Sequence, residues 1–228
     1  MVQIMAKIEV YSCVTGNYDN VSQSLFSALP EIDCDARFTL FTDAQMERKK
    51  AGWNIKPLAY EELCRRRSAR WHKVNSHLLF PDAEITVWID GSQAFKPIKL
   101  YADLVGPHMT GFHIATFKHP VRTCIYQEAQ ACKMLKKDNP LLIDKQVYKY
   151  RKMGYPSFNG MVETACVIRK NKKPITEFNQ VWWNEIDNNS LRDQLSFNFA
   201  IFSKGLKYQT IKGERTKSPY FRFIGHKK

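Results

Sequence analysis

Apolar residues along the chain fall into dense short runs separated by longer segments in which they recur every three or four positions. The dense runs are rich in β-branched and aromatic residues, which favours strands. They are KIEVYSCVTG (7–16), RFTLFTD (37–43), ITVWID (85–90), GFHIATFKHP (111–120) and MVETACVIRK (161–170). A weaker run, LKYQTI (206–211), predicts a last strand before an irregular tail.

The intervening segments have helical spacing. A short amphipathic helix over 20–29 should end at Pro30, and a basic helix over 60–77 should place Leu63, Trp71 and Val74 on one face. Further helices are predicted over 121–137, 141–154, 175–188 and 190–204. Gly154 is expected to cap the fourth of these six helices at its C-terminus, and Ser190 to cap the last at its N-terminus.

Strands that alternate with helices, without repeats or low-complexity linkers, predict an α/β fold with a mostly parallel central sheet flanked by helices. One domain is expected over residues 1–228, with a basic C-terminal tail from about 204 to 228. Ligands of such sheets bind at the carboxyl ends of the strands. Thr15, Asp43, Asp90 and His119 all follow predicted strands and can line one cleft.

Charge narrows the class of partner. The 228 residues include 35 Lys and Arg against 22 Asp and Glu, a net charge of +13. This excess favours an anionic partner, such as a nucleotide, a nucleic acid, an acidic polymer or a membrane surface. The six cysteines are scattered without a C-x-x-C pair and indicate reduced, mostly buried thiols. Neither a signal peptide nor a membrane span is apparent, so a soluble, cytoplasmic protein is expected.

The strand-end motif Asp90-Gly91-Ser92 is the first candidate for chemistry. A carboxylate after a buried strand, next to a glycine that permits close backbone approach and a second oxygen, suits a hard cation that bridges a phosphate. The alternative is an aspartate that caps the following turn.

Three further polar groups are candidates. Lys118, His119 and Arg122 lie at a strand-to-helix turn, where cations favour an anion pocket, although a solvated loop would look the same. Arg70 and Lys73 lie three apart on one helix face, in a charge run that is usually solvated. Asp193 and Gln194 begin a predicted helix, where a carboxylate is favoured by the helix dipole in any case.

In this order the motifs resemble a known family. The blocks YSCVTGNYD, FTD, GWNIKPL, RRRSARWHKVNSHLLFPDAEITVWIDGS, FKHPVRTCIYQEA, MVETACVIRKN and WWNEIDNNSLRDQLSF cover roughly residues 8–200. The chain resembles the glycosyltransferase-like domain family, formerly a domain of unknown function, that includes plant mucilage-related and turgor-regulation-defect proteins.

The resemblance implies a GT-A-like, Rossmann-like domain that transfers a sugar from a nucleotide-sugar donor to a glycan or other hydroxyl acceptor. It implies Mn²⁺ or Mg²⁺ at Asp90, with help from Ser92 and His226. Ser92 stands where the broader D-x-D pattern has a second carboxylate, which leaves a metal-independent member open. The resemblance places the donor at the first strand's turn (Thr15, Gly16, Tyr18, Asp19) and at Asp43. Positions at turns and on helix faces next to strand ends predict a cationic wall of the donor site, formed by Arg70, Lys73, Lys118, His119 and Arg122.

For catalysis the resemblance favours Asp193, acting as a general base, as a stabiliser of positive charge, or in orienting the sugar, with Gln194 hydrogen-bonding the sugar. Glu163 and Glu185 are competing carboxylates. Two rival functions stay open: a nucleic-acid-binding protein without catalysis, for which no recognisable motif is present, and a metal-dependent hydrolase that uses the same site.

Overall fold

The computed structural model describes residues 6–226, so the outermost ends of the predicted domain and tail, 1–5 and 227–228, lie outside the described residues. The strands are β1 (Lys7–Val14), β2 (Asp35–Thr42), β3 (Lys49–Lys50), β4 (Trp53–Lys56), β5 (Ile85–Ile89), β6 (Gln93–Phe95), β7 (Ile114–Lys118), β8 (Val162–Lys170), β9 (Gln209–Ile211) and β10 (Phe221–Phe223). The helices are α1 (Arg65–Val74), α2 (Ser76–Leu79), α3 (Gly106–Met109), α4 (Ile125–Met134), α5 (Pro140–Lys152), α6 (Lys173–Asn188) and α7 (Asp193–Ser203), with a π-helical segment at Leu100–Val105.

The central sheet has the strand order β3-β4-β2-β1-β5-β8-β7-β9. Strands β4, β2, β1 and β5 are parallel neighbours, as are β7 and β9, while β8 runs antiparallel to both β5 and β7. Strands β6 and β10 form a separate antiparallel pair. The predicted α/β class with a mostly parallel sheet is confirmed.

Side chains that alternate along the strands build a core on each face of the sheet. On β5, Val87 and Ile89 enter one core with the π-helical segment and α3. Trp88 points into the opposite core, where α6 and α7 contribute Trp182 and Phe197. Both faces of the sheet are therefore covered, which explains why its strands are continuously apolar in sequence. No helix within residues 6–226 is both long and apolar enough to cross a membrane.

Several predicted elements are corrected. Segment 20–29 contains hydrogen-bonded turns in place of a helix: the backbone N–H groups of Gln23, Ser24 and Phe26 bond three, four and five residues back, so no regular helical pattern develops. The basic helix is broken at Asn75, and Leu63 precedes it, fully exposed, so it shares no buried face with Val74.

The last long helix begins at Asp193 with Arg192 as its N-cap, so Ser190 is not the cap; its hydroxyl donates to Asp138 instead. Gly154 follows the end of α5 with φ +77°, as the prediction of a glycine cap requires. Four of the six cysteines are buried, which confirms mostly buried thiols. The short strands β3, β4, β6 and β10 and the segment Leu100–Met109 were not predicted.

A buried arginine fastens α1 to the sheet. Arg169 on β8 is 0% exposed and donates to the carbonyl oxygens of Lys73 (2.7 Å) and Val74 (2.9 Å), the last residues of α1. It also donates to the Asn179 side chain and the Tyr11 hydroxyl. No carboxylate pairs with Arg169 in the described part of the chain, so its charge is balanced by the negative end of the α1 dipole and by neutral oxygens.

We predict that Arg169→Met destabilises the fold by about 3 kcal/mol, because four buried acceptors lose their donor while the cost of burying the guanidinium is relieved. Urea unfolding gives the free energy. The exposed Arg222 on β10 supplies the matched control, and Arg222→Met should change stability by less than about 0.5 kcal/mol. Equal stabilities for Arg169→Met and the control would contradict the role of Arg169 in fastening α1 to the sheet.

Candidate functional site

Five adjacent strands bring polar residues to one edge of the sheet. Strands β2, β1, β5 and β7 run in the same direction and end there, and the antiparallel β8 begins there. The residues at this edge are, in spatial order, Asp43, Thr15, Asp90, Glu163 with Thr164, and His119. The structure therefore places all four strand-end residues singled out in the sequence along a common edge.

Asp90 is held by one carboxylate oxygen. Its Oδ1 accepts hydrogen bonds from Trp88 Nε1 (2.7 Å) and from Lys73 Nζ (3.2 Å). Its Oδ2 makes no hydrogen bond within the described chain, and the side chain is 29% exposed. The carboxylate is thus fixed in orientation while one oxygen stays available to a ligand.

Lys73 connects Asp90 to Asp193. Its ammonium is 1% exposed and lies 2.7 Å from Asp193 Oδ2, 3.0 Å from Thr164 Oγ1 and 3.2 Å from Asp90 Oδ1. The three N–H groups of the ammonium are thereby matched by three side-chain oxygens. Because both carboxylates neutralise Lys73, it orients Asp90 and is not a free cation of a donor pocket.

Asp193 is completely enclosed by its partners. Thr164 Oγ1 donates to Oδ2 at 2.7 Å, and Arg70 Nε lies 3.3 Å from Oδ1. Burial by itself raises the pKa of Asp193, but the cations Arg70, Lys73 and Arg192 together hold it well below its usual range. This carboxylate therefore stays ionised and is a poor acceptor of a catalytic proton.

A second carboxylate, Asp19, lies beside the Asp90 turn. A Cβ on Gly91 would come within 2.5 Å of Asp19 Oδ2, so only glycine fits between them. His226 Nδ1 lies 2.6 Å from Asp19 Oδ1, and the imidazole lies over the Tyr18 ring with 4.6 Å between centroids. Burial raises the pKa of Asp19; His226 lowers it and the nearby Asp90 raises it further. The C-terminal histidine thus comes close to the Asp90 turn.

Ser92 is a buried residue of the same turn. It is 1% exposed, and its hydroxyl has no hydrogen-bond partner within the described residues. Over residues 6–226 no group of three or more His, Cys, Asp or Glu side chains is placed to hold a metal ion. A cation at Asp90 would therefore rely on few protein ligands and on oxygens of its substrate.

The first strand's turn forms the other end of the site. The backbone N–H of Gly16 donates to both carboxylate oxygens of Asp43, at 2.9 and 3.0 Å, and Thr15 Oγ1 donates to the carbonyl of Arg65. The Arg65 side chain lies over Gly16 and pairs with Asp43 at 3.5 Å, although it is 70% exposed. Tyr18 is 60% exposed nearby. This end is open, and its surface combines an aromatic ring, a carboxylate and an arginine.

The cations after β7 are arranged differently from a free anion pocket. Arg122 Nε donates to the buried Glu128, and His119 Nδ1 accepts the backbone N–H groups of Val121 and Arg122. Burial lowers the pKa of His119, which favours its neutral form. Lys118 is exposed. Of this predicted cluster, only Lys118 is without a carboxylate partner within the described chain.

The remaining predicted residues differ in their access to the edge. Glu163, at the start of β8, is mostly buried and faces Arg215 at 3.6 Å; burial raises its pKa while Arg215 opposes the shift. Gln194 bonds to Arg192 and to the Val162 carbonyl. Glu185 lies on α6 and bonds Lys149, Tyr150 and Asn189, so it belongs to a separate buried network.

Sequence reasoning missed Trp88, Thr164 and Arg65. Trp88 read as an ordinary core residue, and only its indole N–H, two residues before Asp90, could have indicated a contact with the carboxylate. Thr164 lies on a strand whose antiparallel direction was not evident from the sequence. Arg65 was one of three adjacent arginines without a distinguishing signal.

The enclosure of Asp193 leads to a pH-dependent prediction. Because its pKa is lower in the folded protein than the ordinary value of about 3.9, its stabilising effect should be complete above that pH and fade as pH falls further. Asp193→Asn should cost about 3 kcal/mol between pH 5 and 8, since Lys73 loses its buried carboxylate partner and keeps only the partly exposed Asp90. Urea unfolding at several pH values would show a difference from the parent that shrinks below about pH 4. A cost that is absent at pH 7 would contradict the buried ion pair.

Comparison with known proteins identifies the family. Residues 53–212 match the sequence profile of the family described as "TOD1/MUCI70, glycosyltransferase-like domain". A protein of Arabidopsis thaliana with the name "Probable hexosyltransferase MUCI70" is 29% identical over 217 residues, covering 83% of this chain. The chain spans only 36% of the length of that relative. The matched range includes Lys73, Asp90 and Asp193 but not Asp43 or His226. In agreement with the resemblance seen in its motifs, the chain belongs to the TOD1/MUCI70 glycosyltransferase-like domain family.

Proposed function

We propose that this domain transfers a sugar from a nucleotide-sugar donor to a glycan or other hydroxyl acceptor. The observation that carries the proposal is Asp90, fixed through one oxygen by Lys73 and Trp88 while its second oxygen faces the carboxyl edge of the sheet. Family membership and the hexosyltransferase name of the Arabidopsis relative support the same reaction class. The net charge of +13 would attract an anionic donor to this edge.

The residues around Asp90 fit a divalent cation such as Mn²⁺ or Mg²⁺. Asp90 Oδ2 is a free carboxylate oxygen, and the unpaired hydroxyl of Ser92 lies two residues away. His226 has one nitrogen on a carboxylate, which is the usual arrangement for a histidine whose other nitrogen binds a metal. Such a cation, when bound, would neutralise the charge of a diphosphate leaving group.

The open end of the edge is the proposed site of the nucleoside. Tyr18 offers an exposed ring for the base, and Asp43, already oriented by the Gly16 N–H, offers acceptors for ribose hydroxyls. Lys118 is available to the phosphates from the other side of the edge. Lys73, Arg70, His119 and Arg122 support this surface indirectly, since each is engaged by buried protein groups.

Among the three candidate carboxylates, we assign proton transfer to Glu163, which lies at the start of β8, the strand next to the one that ends before Asp90. Burial raises the pKa of Glu163, against the opposing effect of Arg215, whereas the pKa of Asp193 is held well below its usual range. Asp193 is better suited to orienting the sugar site through Lys73 and Arg70, one of the roles left open by its sequence. Glu185 serves the fold, because its partners all lie in the network between α5 and α6.

The donor site is tested by thermal shift with a panel of nucleotide sugars, each with Mn²⁺ or with EDTA. One donor should raise the melting temperature by about 5–10 °C at a hundredfold excess over its dissociation constant. Asp90→Asn should abolish the Mn²⁺-dependent part, whereas Asp82→Asn, at an exposed aspartate before β5, should retain it. Stabilisation that is unchanged in Asp90→Asn would exclude the assigned role.

The proton-transfer assignment is tested by transfer rates at saturating donor. Glu163→Gln should lower kcat by about a hundredfold or more, as expected of a lost acid or base, and should flatten the pH profile. Asp193→Asn should lower kcat but keep the shape of the profile, because it acts through Lys73 and Arg70. Glu185→Gln is the control at a buried carboxylate. The assignment would move to Asp193 if Glu163→Gln had a normal rate while Asp193→Asn was inactive and had lost the pH dependence of its residual rate.

A further inference from the structure

An open groove of about 500 Å³ lies between α4, α5 and the loop that leads into β8. Its volume is within the range of small-ligand sites in proteins. Two aromatic rings on its walls are largely exposed, Tyr148 (62%) and Phe158 (67%). Exposed apolar side chains that share one groove, unlike scattered ones, are typical of binding surfaces.

Two polar side chains of the groove lining make no hydrogen bond to the described protein. The side-chain amides of Gln127 and Gln130, on successive turns of α4, are exposed and make no hydrogen bond within residues 6–226. Each amide offers two donors and an acceptor. Flat apolar rings next to unpaired amides match the two surfaces of a sugar, whose C–H face stacks on aromatic rings and whose hydroxyls exchange hydrogen bonds with amides.

The conformation of Phe158 supports a functional reason for its exposure. Its φ is +58°, a region that bulky side chains rarely adopt. A strained backbone that holds an apolar ring in solvent stabilises nothing in the isolated fold. Such strain is typical of positions that contact ligands.

The groove adjoins the candidate site. Cys124, at one end of it, lies two residues after Arg122, and the loop that carries Phe158 continues into Met161, whose carbonyl accepts the His119 N–H. The nucleoside end, at Thr15 and Asp43, lies on the far side of Asp90 along the sheet order β2-β1-β5-β8-β7. A chain lying in the groove would therefore reach the edge from the side opposite to the proposed donor.

Charge favours a glycan over a polyanion. The groove lining contains one cation, Arg151, and one anion, Asp144. The Arg151 guanidinium is stacked on Tyr126 at 4.0 Å, and Asp144 is paired with Lys133 at 2.6 Å. A nucleic-acid channel would instead carry several cations along its length.

We propose that this groove binds sugar rings of an oligosaccharide acceptor and leads its end to the reaction edge, an inference that rests on the proposed glycosyl transfer. Tyr148 and Phe158 are the stacking platforms, and Gln127 and Gln130 bond the sugar hydroxyls. The groove thus selects the acceptor, while the Asp90 end binds the donor.

The test measures binding of the intact chain to an array of defined neutral and acidic oligosaccharides, followed by dissociation constants for the strongest binder. Tyr148→Ala and Gln127→Ala/Gln130→Ala should each weaken binding by about tenfold or more, as for central residues of a binding surface. Tyr148→Phe should retain it. Leu141→Ala removes a comparably exposed apolar side chain (77%) on α5 outside the groove lining and should have no effect.

The two proposals fail in distinguishable ways. Groove variants should keep nucleotide-sugar stabilisation in the thermal-shift assay, while Asp90→Asn should lose it and keep oligosaccharide binding. Binding that is equal in the parent and in Tyr148→Ala, or the absence of any oligosaccharide binding by the parent, would overturn the groove assignment. A parent protein that binds an oligosaccharide in the groove but is stabilised by no nucleotide sugar would overturn the proposed function, and the groove would remain a sugar-binding surface.

Discussion

The candidate site depends on one buried ammonium group. Lys73 lies in an interior where an unpaired charge would cost several kcal/mol, so the fold must supply compensating oxygens at fixed positions. It does so from three elements: Asp90 after β5, Thr164 on β8 and Asp193 at the start of α7. The requirement to neutralise Lys73 thereby fixes how these elements meet, and it orients the carboxylate that faces the open edge.

The position of Lys73 depends in turn on Arg169. The arginine bonds the carbonyl of Lys73 itself, so the helix that carries the ammonium is fastened by its backbone on one side and by its side chain on the other. Two buried cations are costly for stability. Their arrangement is consistent with a site in which the rigidity of Asp90 matters more than the maximum free energy of unfolding.

The sequence predicted the long elements and the strand-end residues, because periodicity and turn residues are local signals. It could not predict that β8 runs antiparallel, since direction is decided by sheet pairing between distant segments. The same limit applies to Lys73 and Arg122. Their positions next to the site were apparent from the sequence, but the pairing of Lys73 with Asp193 and of Arg122 with Glu128 depends on how the chain folds. The turns at 20–29 were misread because the apolar spacing there is helical while the backbone hydrogen bonds mix spans of three, four and five residues, which a hydrophobic pattern does not register.

The antiparallel direction of β8 also affects how the domain can diversify. In a fully parallel sheet, only loops that leave strands reach the ligand edge; here a loop that enters a strand reaches it as well, between those that follow β5 and β7. That entering loop, 153–161, joins α5 to β8 and makes no hydrogen bond with Lys73 or Trp88, the residues that orient Asp90. Changes in its length or sequence can therefore reshape one side of the edge while the carboxylate and its supports stay as they are.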